Sequence, residues 1–146
     1  MAKVLIVNGP NLNLLGKREP DIYGDRSLGD LNQKLADLAK ELKIELEFFQ
    51  SNSEGSIVDY IQTAGFDADG MIINPGALSH SSYALRDVIT AVGVDTIEVH
   101  LSNIYGREEF RRQSVIAPVC CGHLAGFGFY GYAMALSYFA DISEGG

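Results

Sequence analysis

The chain alternates short apolar runs with longer segments of helical spacing. KVLIVN (3–8) is an apolar run rich in β-branched residues and predicts a buried strand. Ser27 and Asp30 then form a capping-box pattern, followed by Leu28, Leu31, Leu35, Leu38 and Leu42 on one helical stripe. IELEFF (44–49) sets Ile44, Leu46 and Phe48 against Glu45 and Glu47, the alternation of a strand with one wetter face. A short helix over 54–65 closes at Gly65, GMIIN (70–74) is a second buried run, and 81–93 is a helix ending in Gly93. DTIEVHL (95–101) predicts the fourth strand and VIAPVC (115–120) the fifth. The last segment, 129–142, reads as a helix that is apolar nearly all round, with Tyr130, Tyr132, Met134, Tyr138 and Phe139 offering more surface than one buried face needs.

Strands alternating with helices imply a parallel sheet covered on both faces. Five strands fit a flavodoxin-like, doubly wound α/β fold in one domain spanning residues 1–146. In such sheets ligands bind beyond the carboxyl ends of the strands. Polar residues gather there: Asn8 to Asn13, Gln50 to Asn52, Asn74 to His80 and His100 to Asn103.

Composition narrows the partners. The chain has 146 residues, is 47% hydrophobic and carries a net charge of −8, a balance that disfavours nucleic acid. The N-terminal apolar run is too short for a signal peptide and nothing approaches a membrane span, which predicts a cytoplasmic protein with no membrane partner. Five of the 11 cations nonetheless fall in two short stretches (Lys17, Arg18, Arg107, Arg111 and Arg112), which suits a small anionic ligand. The adjacent Cys120 and Cys121 match no disulfide framework or CxxC motif and read as small buried residues.

Several motifs fail on inspection. GFGFYG (126–131) fits G-x-G-x-x-G, but no βαβ unit with a distal acid follows, so close helix packing is the better reading. A phosphoacceptor site needs carboxylates after the first and third strands, where this chain has Asn8, Asn11 and Asn74. His80 and His100 fall on different loops and His123 near the cysteines, as a surface or packing residue, which predicts no metal site. What survives is equipment for acid–base work. His100 ends a strand with Glu98 two residues earlier on the same face, and a carboxylate there fixes the tautomer of the ring. Asn74 and His80 could hold hydroxyls, and Arg107 and Arg111, four apart, would share one side of a helical turn.

NGPNLNLLGKREPDIYG (8–24), QSNSEGSIVDYI (50–61), NPGALSHSSYALRD (74–87) and EVHLSNIYGREEFR (98–111) together resemble the type II 3-dehydroquinate dehydratases. The resemblance implies dehydration of 3-dehydroquinate to 3-dehydroshikimate without metal or organic cofactor, by a homo-oligomer, a dodecamer built from trimers. It implies Tyr23 as the base and Arg18 as the lid arginine that helps form its phenolate. Asn11 would stabilise the enolate through a water, and His100, oriented by Glu98, would protonate the departing hydroxyl. Asn74, His80 and Arg111 would bind hydroxyls, the backbone of Leu101 and Ser102 the carboxylate, and Arg107 would be a second cation near the tyrosine. Asp87 would reach the site from a neighbouring subunit. Leu78 stands where the family commonly has an aromatic, and IYG at 104–106 replaces a stretch that often contains histidine.

This gives GKREPDIYG (16–24) a chemical sense. A phenol with a reference pKa near 10 is only about one part in a thousand ionised at pH 7. Bringing it to about 7 takes roughly 4 kcal/mol, which two guanidiniums can share. The competing class is a non-catalytic flavodoxin-like oligomer that binds anionic metabolites; Tyr23, Arg18 and His100 together speak against it.

Overall fold

The computed structural model describes residues 1–17, 21 and 25–144. Among these, β1 (Ala2–Asn8), β2 (Ile44–Gln50), β3 (Gly70–Asn74), β4 (Thr96–His100) and β5 (Gly122–Ala125) form one sheet in the order β2-β1-β3-β4-β5. All neighbours pair in parallel. The helices α1 (Leu28–Leu42), α2 (Glu54–Ala64), α3 (Tyr83–Val92) and α4 (Tyr130–Ser143) cover it on two sides, giving the expected flavodoxin-like α/β architecture. The reversal of strand order falls between β1 and β3, so their carboxyl ends open a crevice.

Alternation along each strand divides the interior into two cores. Val4, Ile6, Ile72, Ile97 and Val99 face α1 and α4, packing on Leu31, Leu35, Leu136 and Phe139. Leu5, Val7, Met71 and Ile73 face α2 and α3, packing on Ile57, Ile61, Leu85 and Ile89. The stripe predicted for α1 lies on this first core, with Leu31 and Leu35 buried and Leu28, Leu38 and Leu42 partly so. Its capping box is complete: the Asp30 amide donates to Ser27 Oγ and the Ser27 amide to the Asp30 carboxylate.

The fifth strand is not where the apolar run places it. Residues 115–120 form a cover over the α3 side, with Ile116 fully buried and a 3₁₀ turn at Ala117–Val119. Pro118 cannot donate to a ladder, which disfavours a strand there, and pairing with β4 begins only at Gly122. The cysteines also differ from expectation: Cys120 is half-buried and Cys121 exposed. In α4, Tyr132 and Phe139 are buried inside the chain, leaving Tyr130 and Tyr138 as its exposed aromatics. Gly126 and Gly128 adopt φ of +96° and +58°, so GFGFYG serves the turn into α4 rather than close helix packing.

The loops after β1 and β3 abut through their backbones. The Gly9 amide donates to Asn74 O at 2.8 Å, and a Cβ at position 9 would stand 2.6 Å from Pro75 O.

Candidate active site

The crevice at the carboxyl end of the sheet is lined by Asn11, Asn74, His80, His100, Leu101, Ser102, Arg107 and Arg111, with Leu12, Leu15 and Ile104 as apolar wall. Strand register explains the convergence, since each residue follows or ends β1, β3 or β4. Asp87 lies exposed on α3 and does not line this pocket. Arg18 and Tyr23 lie outside the described residues.

β4 supplies a buried carboxylate–imidazole pair. Glu98 is wholly buried and His100 nearly so, and the ring's Nε2 lies 2.5 Å from Glu98 Oε2. In that contact the Nε2–H donates to the carboxylate, which leaves Nδ1 outside the pair. Ser114 Oγ donates to the remaining Oε1 at 2.8 Å and in turn accepts from the amides of Ile116 and Ala117. Burial alone would push the Glu98 carboxyl up. Hydrogen bonds from His100 and Ser114, the nearby His123 ring and the charge of His100 overcome it and hold the group down at about 2. A buried carboxylate fixed in its charged form is a strong orienting device for the histidine beside it.

His123 and Ser114 were not legible as neighbours of this pair. Parallel register sets His123 of β5 opposite Glu98, with its Nε2 3.6 Å from Glu98 Oε2. His123 is therefore part of the polar cluster and not a surface or packing residue. Only the correct placement of β5 could have shown this; a strand at 115–120 hides it.

β3 and the following turn supply the neutral polar groups. Asn74 Nδ2 donates to Tyr132 Oη at 3.0 Å, and Tyr132 Oη donates to Asn8 Oδ1 at 2.6 Å. Asn74 Oδ1 accepts from the Gly76 amide at 3.1 Å, which fixes the start of the Gly76–His80 turn. At the end of that turn, His80 Nδ1 lies 2.8 Å from Gln113 O and must donate to it, so the neutral ring offers Nε2 as an acceptor. Burial, ahead of its neighbours' charges, lowers the His80 pKa and favours that neutral ring. The His80 and His100 rings are 6.2 Å apart, although one ends the turn after β3 and the other ends β4.

Arg107 and Arg111 line the same pocket from two separate short turns, Ile104–Gly106 and Glu109–Arg112, rather than from one helical turn. Both approach Glu108, Arg107 Nε at 3.8 Å and Arg111 Nε at 3.2 Å, and Arg107 also donates to Ser102 Oγ at 3.4 Å. Asn11 adopts φ of +72°, a conformation asparagine tolerates, and its amide donates to Asn52 Oδ1 at 2.9 Å.

Fold and site together define a doubly wound α/β protein whose switch-point crevice sets a carboxylate-backed histidine beside two arginines and a row of amides. Comparison with known proteins then specifies which. Residues 2–140 match the model of the family "Dehydroquinase class II", and the chain belongs to that family. A 3-dehydroquinate dehydratase of Pelotomaculum thermopropionicum is 58% identical over 97% of this chain and 98% of its own length. Another from Bacillus licheniformis is 56% identical over 99% of each. The crystal structure of type II dehydroquinase from Butyrivibrio crossotus superposes with a TM-score of 0.93 at 48% identity, covering 94% of this chain and 97% of that one.

Proposed function

We propose that this protein is a 3-dehydroquinate dehydratase that eliminates water stepwise, in the anti sense, through an enolate. The observation that carries the reading is the Ser114–Glu98–His100 arrangement opening onto the crevice that Arg107 and Arg111 also line. The hydrogen on carbon beside a ketone is weakly acidic, so its removal needs a positioned base and stabilisation of the enolate oxygen. Tyr23, as phenolate, takes that proton. Asn11, through a bound water, supports the enolate, and Arg18 and Arg107 favour the phenolate. The enolate electrons then expel the hydroxyl, which takes the Nδ1 proton of His100 and leaves as water. Tyr23 has gained one proton and His100 lost one, so the cycle closes when a proton returns between them without any redox change.

Asn74, His80 and Arg111 hold the hydroxyls, and the backbone of Leu101 and Ser102 receives the carboxylate. Asp87, exposed on α3, completes the site of an adjacent subunit, in a trimer that assembles further to a dodecamer. The protein acts in the cytoplasm, and among the described residues no helix is long and apolar enough to cross a membrane. The direct test is a spectrophotometric assay with 3-dehydroquinate on the wild type and Tyr23→Phe, with borohydride added in parallel. Turnover abolished by Tyr23→Phe and untouched by borohydride is expected. An inactive wild type would leave the non-catalytic binder, and reduction of substrate onto Lys17 would replace the enolate route with an imine.

A further inference from the structure

We infer that Glu98, His100 and His123 form a binding site for a borderline divalent transition metal, zinc above all, whose occupation switches the dehydration off. The switching half rests on the reading of His100 as the acid; the site itself does not. Register creates the cluster: His100 is two residues beyond Glu98 on one face of β4, and His123 is Glu98's partner on β5. One nitrogen from each ring and one carboxylate oxygen lie within 4.8 Å of one another. Tetrahedral zinc, with bonds of about 2.0–2.1 Å to nitrogen and oxygen, sets its ligand atoms about 3.3 Å apart. The contacts of 2.5 Å from His100 and 3.6 Å from His123 to Glu98 Oε2 lie on either side of that spacing. Small rotations of two rings would meet it.

The chemistry of the donors fits as well. Two imidazoles and a carboxylate are a set that zinc accepts while keeping a fourth position for water. Ser114 Oγ ties down the other oxygen of Glu98, as outer hydrogen bonds do for metal-ligating carboxylates. His123 Nε2 is the informative atom. It is shielded from solvent, has no hydrogen-bond partner, and faces a carboxylate at a distance too long for one. Packing alone does not call for a ring whose buried, unpaired nitrogen is aimed at a buried carboxylate. β5 is the edge strand and the His123 side chain keeps 22% of its surface exposed, which gives an ion an approach from the sheet edge.

Binding replaces the Nε2 proton of His100, which is released to solvent, with the metal. The ring keeps one proton on Nδ1 as a neutral metal-bound imidazole, a far weaker acid than an imidazolium. Zinc therefore blocks protonation of the leaving hydroxyl without touching the substrate-binding arginines.

Two readouts test this on the intact protein. Cobalt(II) added to the wild type should give the visible absorption of a tetrahedral site, and equilibrium dialysis should find one zinc per chain. Zinc should inhibit dehydration and a chelator should restore it. His123→Val, which suits a strand, should weaken zinc binding and inhibition at least about tenfold, each variant being compared with its own metal-free rate. Should that variant fold poorly, His123→Gln serves, and the cobalt spectrum of the wild type needs no variant. No cobalt spectrum, or zinc affinity unchanged in His123→Val, would overturn the site. Cobalt and zinc bound through His123 with the dehydration rate unaffected would overturn the switch, and with it the role of His100 as acid.

Discussion

Two buried polar networks stand at the same end of the sheet, one on each face, and they are built on opposite plans. On the α1/α4 face, Asn8, Tyr132 and Asn74 form a neutral chain of hydrogen bonds of 2.6 and 3.0 Å, with Tyr132 completely buried. On the α2/α3 face, Ser114, Glu98, His100 and His123 surround a buried charge. Both line up residues for the crevice, but the neutral chain engages the Tyr132 hydroxyl with both asparagines and holds no charge. The charged cluster keeps the His100 Nδ1 outside its internal bonds, as the proposed role of the ring as acid requires.

The largest effect separating the two should come from His100→Gln. The amide can still donate to Glu98 but cannot deliver a proton, so turnover should fall by about 10²–10⁴ with little change in melting temperature. If steady-state kinetics and thermal melts show a drop below tenfold, roughly, the charged network is structural like its counterpart.

Acid stability comes next. The folded Glu98 pKa of about 2 lies below its ordinary value of 4.5, so the unfolded chain binds the proton first as pH falls. The resulting stabilisation, of order 3 kcal/mol, is fully present above about pH 4.5 and gone below about pH 2. Urea midpoints across that window should show the wild type losing its advantage over Glu98→Gln as acid is added. Parallel curves for the two proteins would contradict it.

The smallest effect belongs to the neutral chain. Tyr132→Phe leaves Asn8 Oδ1 and Asn74 Nδ2 buried without that partner, a loss of about 1–3 kcal/mol of stability. Burial pushes the Tyr132 phenol far up, so this loss should not vary between neutral pH and pH 2. A pH-dependent loss, or a fall in turnover matching that of His100→Gln, would erase the distinction between the faces.

How much of this was legible in the sequence follows the same division. The strands β1 to β4, the stripe of α1 and its Ser27–Asp30 cap depend on local periodicity and short-range bonds, and all are where the residues put them. Glu98 and His100, two apart on one strand, could be paired for the same reason. Whatever depends on register between distant segments could not. VIAPVC has strand-like hydrophobicity, yet it is used as a lid on the second core, so its apolar character reports burial and not pairing. Losing β5 meant losing His123. Tyr132 read as excess surface because an all-round apolar helix does not say which side meets the sheet.

The meeting of Gly9 with the carbonyl of Pro75 has a consequence for anyone redesigning the crevice. Two loops separated by sixty-odd residues in sequence are mechanically one part, since no side chain fits between them. Transplanting residues 8–16 from a relative without residues 74–80 would bring together two surfaces shaped for other partners. The pair should be exchanged as a cassette, and a library that randomises position 9 alone should return glycine.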